Sequence, residues 1–438
     1  MRHAIYPEYK NSCIEWVGDI PSGWEVKPTF AVAEEETVKN NDGKEDTVLS
    51  LSYGNVIVRD IEKNFGLLPE SFETYQIVNS GDIILRLTDL QNDKRSLRVG
   101  LAKQRGIITS AYLKLVCKKE LDCRYAYRLL HSYDTTKVFY GMGGGLRQSM
   151  KFADFRRLPI IVPPLEVQTQ IANFLDRETA KIDTLIEKQK QLIQLLQEKR
   201  QAVISRAVTK GLDPNAKMKE SGVEWLGDVP EHWEVSNIRY LGHCQNGINI
   251  GGDMFGSGYP FVSYGDVYNN KQLPQSVMGL VQSTEKDREA YSIKYGDVLF
   301  TRTSETIDEI GFSSACLCTL DDAVFAGFLI RFRPKKHSGL NPLYSKYYFQ
   351  NELLRAFFVK EMNLVIRASL SQDLLKNMPV TLPPENEQRE IAEYLEHKTN
   401  VFSSLIEKSN RAILLMKERR TALISAAVTG KIDVRNAT

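Results

Sequence analysis

Ser12-Cys13-Ile14-Glu15-Trp16-Val17-Gly18-Asp19-Ile20-Pro21 returns 209 residues later as Ser221-Gly222-Val223-Glu224-Trp225-Leu226-Gly227-Asp228-Val229-Pro230. Trp24-Glu25-Val26 returns at the same spacing as Trp233-Glu234-Val235. Further along, Leu158–Thr209 aligns with Met378–Thr429 at a spacing of 220, with roughly four positions in ten identical. The stretches between, roughly 30–145 and 240–365, share almost nothing. A framework is therefore written twice around two inserts that have diverged. That is the pattern of a molecule presenting two different surfaces in one repeated geometry.

The 438 residues suffice for two to four domains with proper cores, and the repeat divides them into two halves. A formal net charge of +2 describes a globular chain rather than a nonspecific nucleic-acid coat. No apolar run approaches the roughly 18 residues needed to span a bilayer, and residues 1–20 lack the apolar core of a signal peptide. The six cysteines fall at unrelated places in the two halves, which suggests neither a disulfide framework nor a zinc site. A cytoplasmic location is the default expectation. Charge is unevenly spread: between Arg86 and Lys119 nine basic residues face two acids. That cluster reads either as a solvated face or as a nucleic-acid footprint, and the second half has no counterpart.

Each half opens on Trp-Gly-Asp-(Ile/Val)-Pro-x-x-Trp, whose tryptophans read as packing anchors. The inserts read as mixed α/β. Alternation predicts strands at Thr47–Tyr53 and Tyr112–Cys117, and apolar runs after a glycine turn predict buried strands at Asp82–Arg86 and Asp297–Thr301. Short helices are predicted at Tyr125–Tyr133 and Leu343–Phe358.

After Pro163-Pro164 and again after Pro383-Pro384, no proline or glycine interrupts the chain until Gly211 and Gly430. Proline at the start, Glu166 or Glu385 at the positive end of the dipole and glycine at the stop predict two long helices. About 43 residues each would make rods of roughly 65 Å, the length of some 19 base pairs at about 3.4 Å per pair. Leu175, Ile182, Leu196 and Val203 repeat every seven residues or multiples of it, joined by Ile171, Leu185 and Leu192. The second rod has Leu395, Phe402, Met416 and Leu423, with Ile391 and Leu405. This is a coiled-coil seam, interrupted at the same place in both copies by Gln189 and Ser409. Because the first rod feeds the second domain through a short connection, antiparallel pairing is expected.

No catalytic centre is legible. Asn341-Pro342-Leu343-Tyr344 approximates an amino-methyltransferase motif but lacks a glycine-rich cofactor loop after a strand. Gly141-Met142-Gly143-Gly144-Gly145 has the glycines of a phosphate cradle without its Lys-Ser/Thr. Cys316-x-Cys318 has no partner pair, and the six histidines are scattered.

The repeated Ser-x-x-Glu-Trp-x-Gly-Asp-x-Pro-x-x-Trp-Glu-Val opening, the Gly-Asp-(Ile/Val)-(Ile/Leu) at 81–84 and 296–299, and Pro-Pro-x-x-x-Gln at 163–168 and 383–388 closely resemble the DNA-specificity (S) subunits of Type I restriction–modification systems. The resemblance covers essentially the whole chain. One departure is that Glu387-Gln388 of the second copy is matched by Val167-Gln168 in the first. The resemblance implies an α+β protein: two α/β target-recognition domains joined by two long helices in an antiparallel coiled coil, with a pseudo-two-fold internal repeat. The divisions would be 1–160 and 211–380 for the recognition domains, 161–210 and 381–438 for the helices and tail. It implies a non-catalytic chain that reads one half of a bipartite, asymmetric double-stranded DNA site with each domain. It also implies two modification (M) subunits docked on the helices, with restriction (R) subunits joining them. No cofactor is expected on this chain; S-adenosylmethionine would belong to the M subunits and ATP with magnesium to the R subunits. A self-sufficient methyltransferase and a coiled-coil adaptor for proteins are the alternatives from other classes.

Base-reading candidates come from chemistry, since arginine pairs with guanine, Asn or Gln with adenine, and Lys or Ser/Thr more often with phosphate. In the first domain they are Tyr53, Asn55, Arg86, Lys94, Arg95, Arg98, Lys103 and Arg105. In the second they are Tyr264, Arg302, Thr303 and Arg367, with Arg147 the first-half equivalent of Arg367.

Overall fold

The computed structural model describes residues 4–60, 71–88, 90, 97–142, 149–304, 310–361 and 368–436. The chain forms two compact units, Met1–Gln189 with Arg411–Thr438, and Lys190–Asn410. The division runs through both long helices, Leu165–Lys210 and Glu385–Val428, where the sequence divisions fall at their ends. Each unit thus contains the start of one long helix and the end of the other. The physical reason lies in burial. Helix ends enter domain cores, as Ile171 and Val428 do at 0% exposure, whereas Leu195 near the middle is 61% exposed.

The framework repeats element by element. The opening hairpin pairs Tyr9–Asn11 with Asp19–Pro21, and in the second copy Met218–Glu220 with Asp228–Pro230. Glu25–Pro28 then pairs with Pro159–Val162, as Glu234–Asn237 pairs with Pro379–Leu382. Trp24 and Trp233 are buried anchors at 2% and 0%. Trp16 is a partial exception to the packing role: it is 43% exposed and meets Tyr133 edge-on.

The inserts, so different in sequence, share a sheet. In the first unit a four-stranded antiparallel sheet runs Ala33–Glu35, Leu113–Cys117, Ile83–Leu85, Val99–Leu101. In the second it runs Gly242–Asn246, Leu329–Pro334, Val298–Thr301, Ser313–Ala315. Both have the spatial order first, fourth, second, third along the chain. The four predicted strands all fall in strands of the structure, three in these sheets and one in the hairpin Leu49–Ser52/Asn55–Val58. What surrounds the sheets differs. The first unit adds that hairpin and the pair Gln76–Val78/Gly106–Ile108. The second adds a long strand, Phe255–Val262, flanked antiparallel by Leu280–Val281 and parallel by Val324–Phe325.

The helix predicted at Tyr125–Tyr133 spans Cys123–Thr135, and Asp122 caps it by accepting from the Arg124 and Tyr125 amides at 2.8 and 3.2 Å. The single helix expected over Leu343–Phe358 is two, Pro342–Tyr348 and Leu354–Glu361. The break follows from Asn351, buried at 2%, whose side-chain oxygen accepts from the Leu353 amide (3.0 Å) and Ser205 (2.6 Å). A short polar side chain that bonds nearby backbone competes with the helix ladder.

The repeated Pro-Pro-x-x-x-Gln has a tertiary explanation. Gln168 is fully buried, donates to the carbonyls of Pro163 (2.8 Å) and Glu120 (2.9 Å), and accepts from the Asp122 amide (2.8 Å). Gln388 does the same with Pro383, Gly339 and Asn341 at 2.8, 2.7 and 2.8 Å. One amide therefore ties each long helix to the cap of the shorter helix before it. Across from it, the Tyr125 hydroxyl lies 3.1 Å from the carbonyls of Ile161 and Val428, and the Tyr344 hydroxyl 3.0 Å from that of Val208. A tyrosine in each unit thus receives the last turn of the incoming long helix. Gly430 and Gly211, both left-handed at φ +75° and +74°, end those helices where a Cβ would press on Pro21 in one unit and Trp233 in the other.

Burial along the long helices differs in one respect from the seam expected in sequence. Leu185, Leu192 and Leu405 are 51%, 42% and 42% exposed, while Ile186 is buried and Ile193, Ile406 and Ile413 are half-buried. Around a helix of 3.6 residues per turn the fourth residue from a seam position lies about 40° away and the third about 60°. The isoleucines therefore lie on the more buried face of each helix and the leucines on the exposed one. Gln189 is half-buried and Ser409 buried.

Candidate nucleic-acid interface

In the first unit the hairpin Leu49–Ser52/Asn55–Val58 is closed by Tyr53-Gly54. Both turn residues have positive φ, +45° and +78°, the geometry of the two-residue hairpin turn whose twist matches its strands. Tyr53 is 78% exposed at the tip, and Ile57 and Val58 are also exposed. Asn55 follows, exposed, its amide 3.4 Å from the Tyr53 carbonyl. The turn is held from below: the Tyr127 hydroxyl donates to the Gly54 carbonyl at 3.3 Å. Asn55 and Lys103 lie on the wall of one cleft of about 460 Å³, beside Arg124 and Arg128. Tyr53, Asn55 and Lys103 are thus brought to one edge of the unit.

The remaining basic candidates separate. Arg105 is exposed but ion-paired with Glu45 at 2.8 Å and bonded to Asn79 at 3.1 Å. Arg86 is half-buried, its amide bonded to the Arg98 carbonyl at 2.9 Å. Arg98 is a correction. It is fully buried, donating to the carbonyls of Arg86 (3.2 Å) and Thr88 (2.7 Å) and lying over the Tyr140 ring. Five fixed donors suit an arginine to gathering loop carbonyls inside a fold, and none of it reaches a surface. Lys114, from the same basic run, is also buried, against Glu36 (2.8 Å) and Asp82 (3.8 Å). The cluster counted in sequence is therefore partly interior charge with its own partners. Lys94, Arg95, Arg147 and Arg367 lie outside the described residues.

In the second unit Tyr264 opens a short helix, Tyr264–Asn269, capped by Ser263, and stacks on Tyr268 at 5.8 Å. Tyr268 in turn meets Phe312 edge-on at 5.2 Å. Arg302 is half-buried between backbone bonds, its amide to Phe328 and its carbonyl from Leu370. Its Nε is buried and finds no hydrogen-bond partner among the described residues. Thr303 pairs with Ser369.

Sequence reasoning missed the side chains joining the helices to the domains. Arg128 donates to Asp176 (2.8 Å) and Thr179 (3.2 Å). At the equivalent place Tyr347 bonds Glu396 (2.6 Å) and lies 3.5 Å from Thr399. The repeat of Thr179 as Thr399, 220 residues on, was the available signal. His131, deep beside this cluster, has its imidazole pushed down to about 4 by burial and by the charges of Arg420 and Arg128. Among the described residues no group of three His, Cys, Asp or Glu could hold a metal, and no helix is long and apolar enough to cross a membrane.

Comparison with known proteins sets this doubled architecture among DNA-specificity modules. The family model for the Type I restriction modification DNA specificity domain matches twice, over residues 51–195 and 230–415. The chain belongs to this family. Similar curated proteins include the Type I restriction enzyme EcoKI specificity subunit of Escherichia coli (strain K12), 25% identical over 66% of this chain and 60% of that protein. The match thus spans about three-fifths of that relative's length. The MjaVIII specificity subunit of Methanocaldococcus jannaschii is 26% identical over 82% of this chain and 81% of its own. Among solved structures, one described as the structural basis of complex assembly and conformational transition of the type I R-M system has a TM-score of 0.70 at 15% identity. It covers 93% of this chain and 98% of its own. The HsdS subunit from Thermoanaerobacter tengcongensis has a TM-score of 0.53 at 15% identity, over 94% and 98%. These likenesses establish a shared fold.

Proposed function

We propose that the chain is the non-catalytic, sequence-specific DNA-binding subunit of a Type I restriction–modification complex. Each insert reads one half of a bipartite, asymmetric site on double-stranded DNA. The observation that carries this is the combination of one sheet order and one helix-anchoring scheme in both units with unlike surface elements around them. Two readers on a repeated mount recognise two different half-sites, as paired DNA-binding units do when their spacing is set by the protein.

The two long helices pair antiparallel as a spacer between recognition domains at 1–160 and 211–380. Support comes from inside each unit. In the first, Val428 lies by Tyr125 near the start of the first helix, and Arg420, two turns earlier, pairs with Asp183 further along it at 3.2 Å. Helices of 46 and 44 residues would be about 69 and 66 Å long. The outward leucines at 185, 192 and 195, and at 405, 414 and 415, are the surface on which two modification subunits dock, since exposed apolar stripes mark association. S-adenosylmethionine is then bound by those subunits, and ATP with magnesium by restriction subunits that join them. Such a complex works in the cytoplasm.

Methylation sequencing of a host carrying the chain and its modification subunit tests this directly. One bipartite motif should appear and vanish on deletion of the chain. Exchange of residues 30–145 for another insert should replace one half of the motif only. Replacement of both halves, or methylation without a split motif, would refute the proposal.

A further inference from the structure

Each unit has a cleft lined by its insert and a long-helix segment. In the first unit the cleft carries Lys103, Arg124, Arg128 and Arg420 against the carboxylates of Asp176 and Asp183. In the second a cleft of about 430 Å³ carries Lys271 and Arg355, with Gln201 from the first long helix, against Glu352. Arg200 adjoins Gln201, and its charge bears on Lys271. Arg200 and Arg420 are 220 residues apart, the same position of the two long helices and the same residue type. In the first unit, therefore, a long-helix arginine lines a cleft already richer in cations than in carboxylates; in the second, Gln201 lines the cleft and Arg200 is the residue beside it on the same helix.

Two groups on unrelated elements respond to that surplus. The His131 imidazole is held neutral by burial and by Arg420 and Arg128. The Lys271 ammonium is pushed down first by burial and then by Arg200. Lys271 and Arg355 each lie 5.6 Å from the centre of the Phe312 ring, so an aromatic face helps to orient them. A concave surface with oriented cations in excess is suited to an anion. In the first unit the same wall carries Asn55 beside the turn of the hairpin, so a strand read by that hairpin would lay its backbone along the cleft. Lysine and arginine contacts to phosphate fix the register in which neighbouring side chains read bases.

We infer that the two clefts grip DNA phosphates beside the half-sites, with Arg420 and Arg200 as equivalent phosphate-holding residues supplied by the long helices. This rests on the DNA-specificity function proposed above and adds to it: the helices hold the duplex as well as space the readers. The competing occupant is an acidic surface of a modification subunit.

The test uses the chain assembled with its modification subunits and a duplex containing the bipartite motif, with affinity measured across salt concentrations. Arg420→Ala and Arg200→Ala should each lower the salt slope by about one and weaken binding about fivefold near 0.15 M salt, equally for cognate and scrambled duplexes. Arg420→Lys and Arg200→Lys, which keep the charge, should keep the slope. Asp183→Asn, which releases Arg420 from its ion pair, should tighten binding. A purely structural salt bridge would instead make Asp183→Asn and Arg420→Ala alike. Unchanged slopes in the alanine variants of a complex that still prefers its motif overturn the clamp and leave the specificity function standing. Loss of modification subunits by native mass spectrometry with the slope intact overturns it in favour of the protein surface. A wild-type complex with no motif preference would instead sink the specificity function itself.

Discussion

The Trp233 indole nitrogen donates to Glu387 at 3.0 Å, at the place where the first copy sets Trp24 opposite Val167. His232 bonds the same carboxylate at 2.8 Å, and its counterpart in the first copy is Gly23. The Val167/Glu387 departure noted in sequence is therefore one member of a matched change: a polar joint in the second unit, an apolar one in the first.

Glu387→Val should destabilise the second unit by about 1–3 kcal/mol, since it leaves the buried indole N–H without its acceptor. Adding His232→Gly, which rebuilds the first copy's arrangement, should recover little, because the indole remains unpaired. Thermal unfolding of the two variants decides this, and a full recovery in the double variant would show that His232 rather than Trp233 needs the carboxylate.

Arg98→Ala should act on folding and leave the recognised bases alone. It strips two loop carbonyls of a buried donor, a loss of about 2–4 kcal/mol at two charge-assisted bonds. Arg98→Lys should not restore it, because an ammonium cannot reproduce the guanidinium fork. Asn55→Ala or Lys103→Ala should do the reverse, costing roughly 1–3 kcal/mol at one half-site where the contact is to a base and leaving the unfolding midpoint in place. Equal loss at both half-sites would contradict the assignment of these residues to one reader.

His131 gives the first unit a pH dependence. Its folded pKa of about 4 lies below the ordinary 6.5, so the unfolded chain binds the proton more readily. Its contribution is full above about pH 6.5 and is lost as the pH falls toward 4, by up to about 3 kcal/mol. His131→Leu should flatten the denaturation midpoint between pH 6.5 and 5, a range above ordinary carboxylate titration. Parallel wild-type and variant curves across that range would rule the effect out.

A four-residue helical insertion after Gln189 should lengthen the first long helix by about 6 Å, under two base pairs at roughly 3.4 Å each. The spacer of the methylated motif should change while both half-sites stay as they were. A motif with its original spacer would remove the helices from the role of ruler.

Much of this was legible in the chain because it depends on local rules. The proline–proline starts, the glycine stops and the seven-residue recurrence placed both long helices to within a few residues. The alternating and glycine-led apolar runs at 47–53, 82–86, 112–117 and 297–301 placed strands that the structure contains. The candidate site was less legible. Arg98 and Lys103 are equally basic in sequence, and only the packing of Tyr140 and the Arg86–Thr88 loop separates an interior strut from an exposed cation.

By itself the sequence determined that there are two copies and where the long helices begin and end, since repetition, periodicity and turn chemistry act along the chain. The tertiary structure alone decided that two inserts without common sequence share one sheet order, and that each unit contains the start of one long helix and the end of the other. It also decided that Ile186 rather than Leu185 is buried. Sheet order, burial and charge pairing are set by residues far apart in the chain meeting in space, as Gln168 meets Glu120 and Asp122, and no spacing along the sequence records such a meeting.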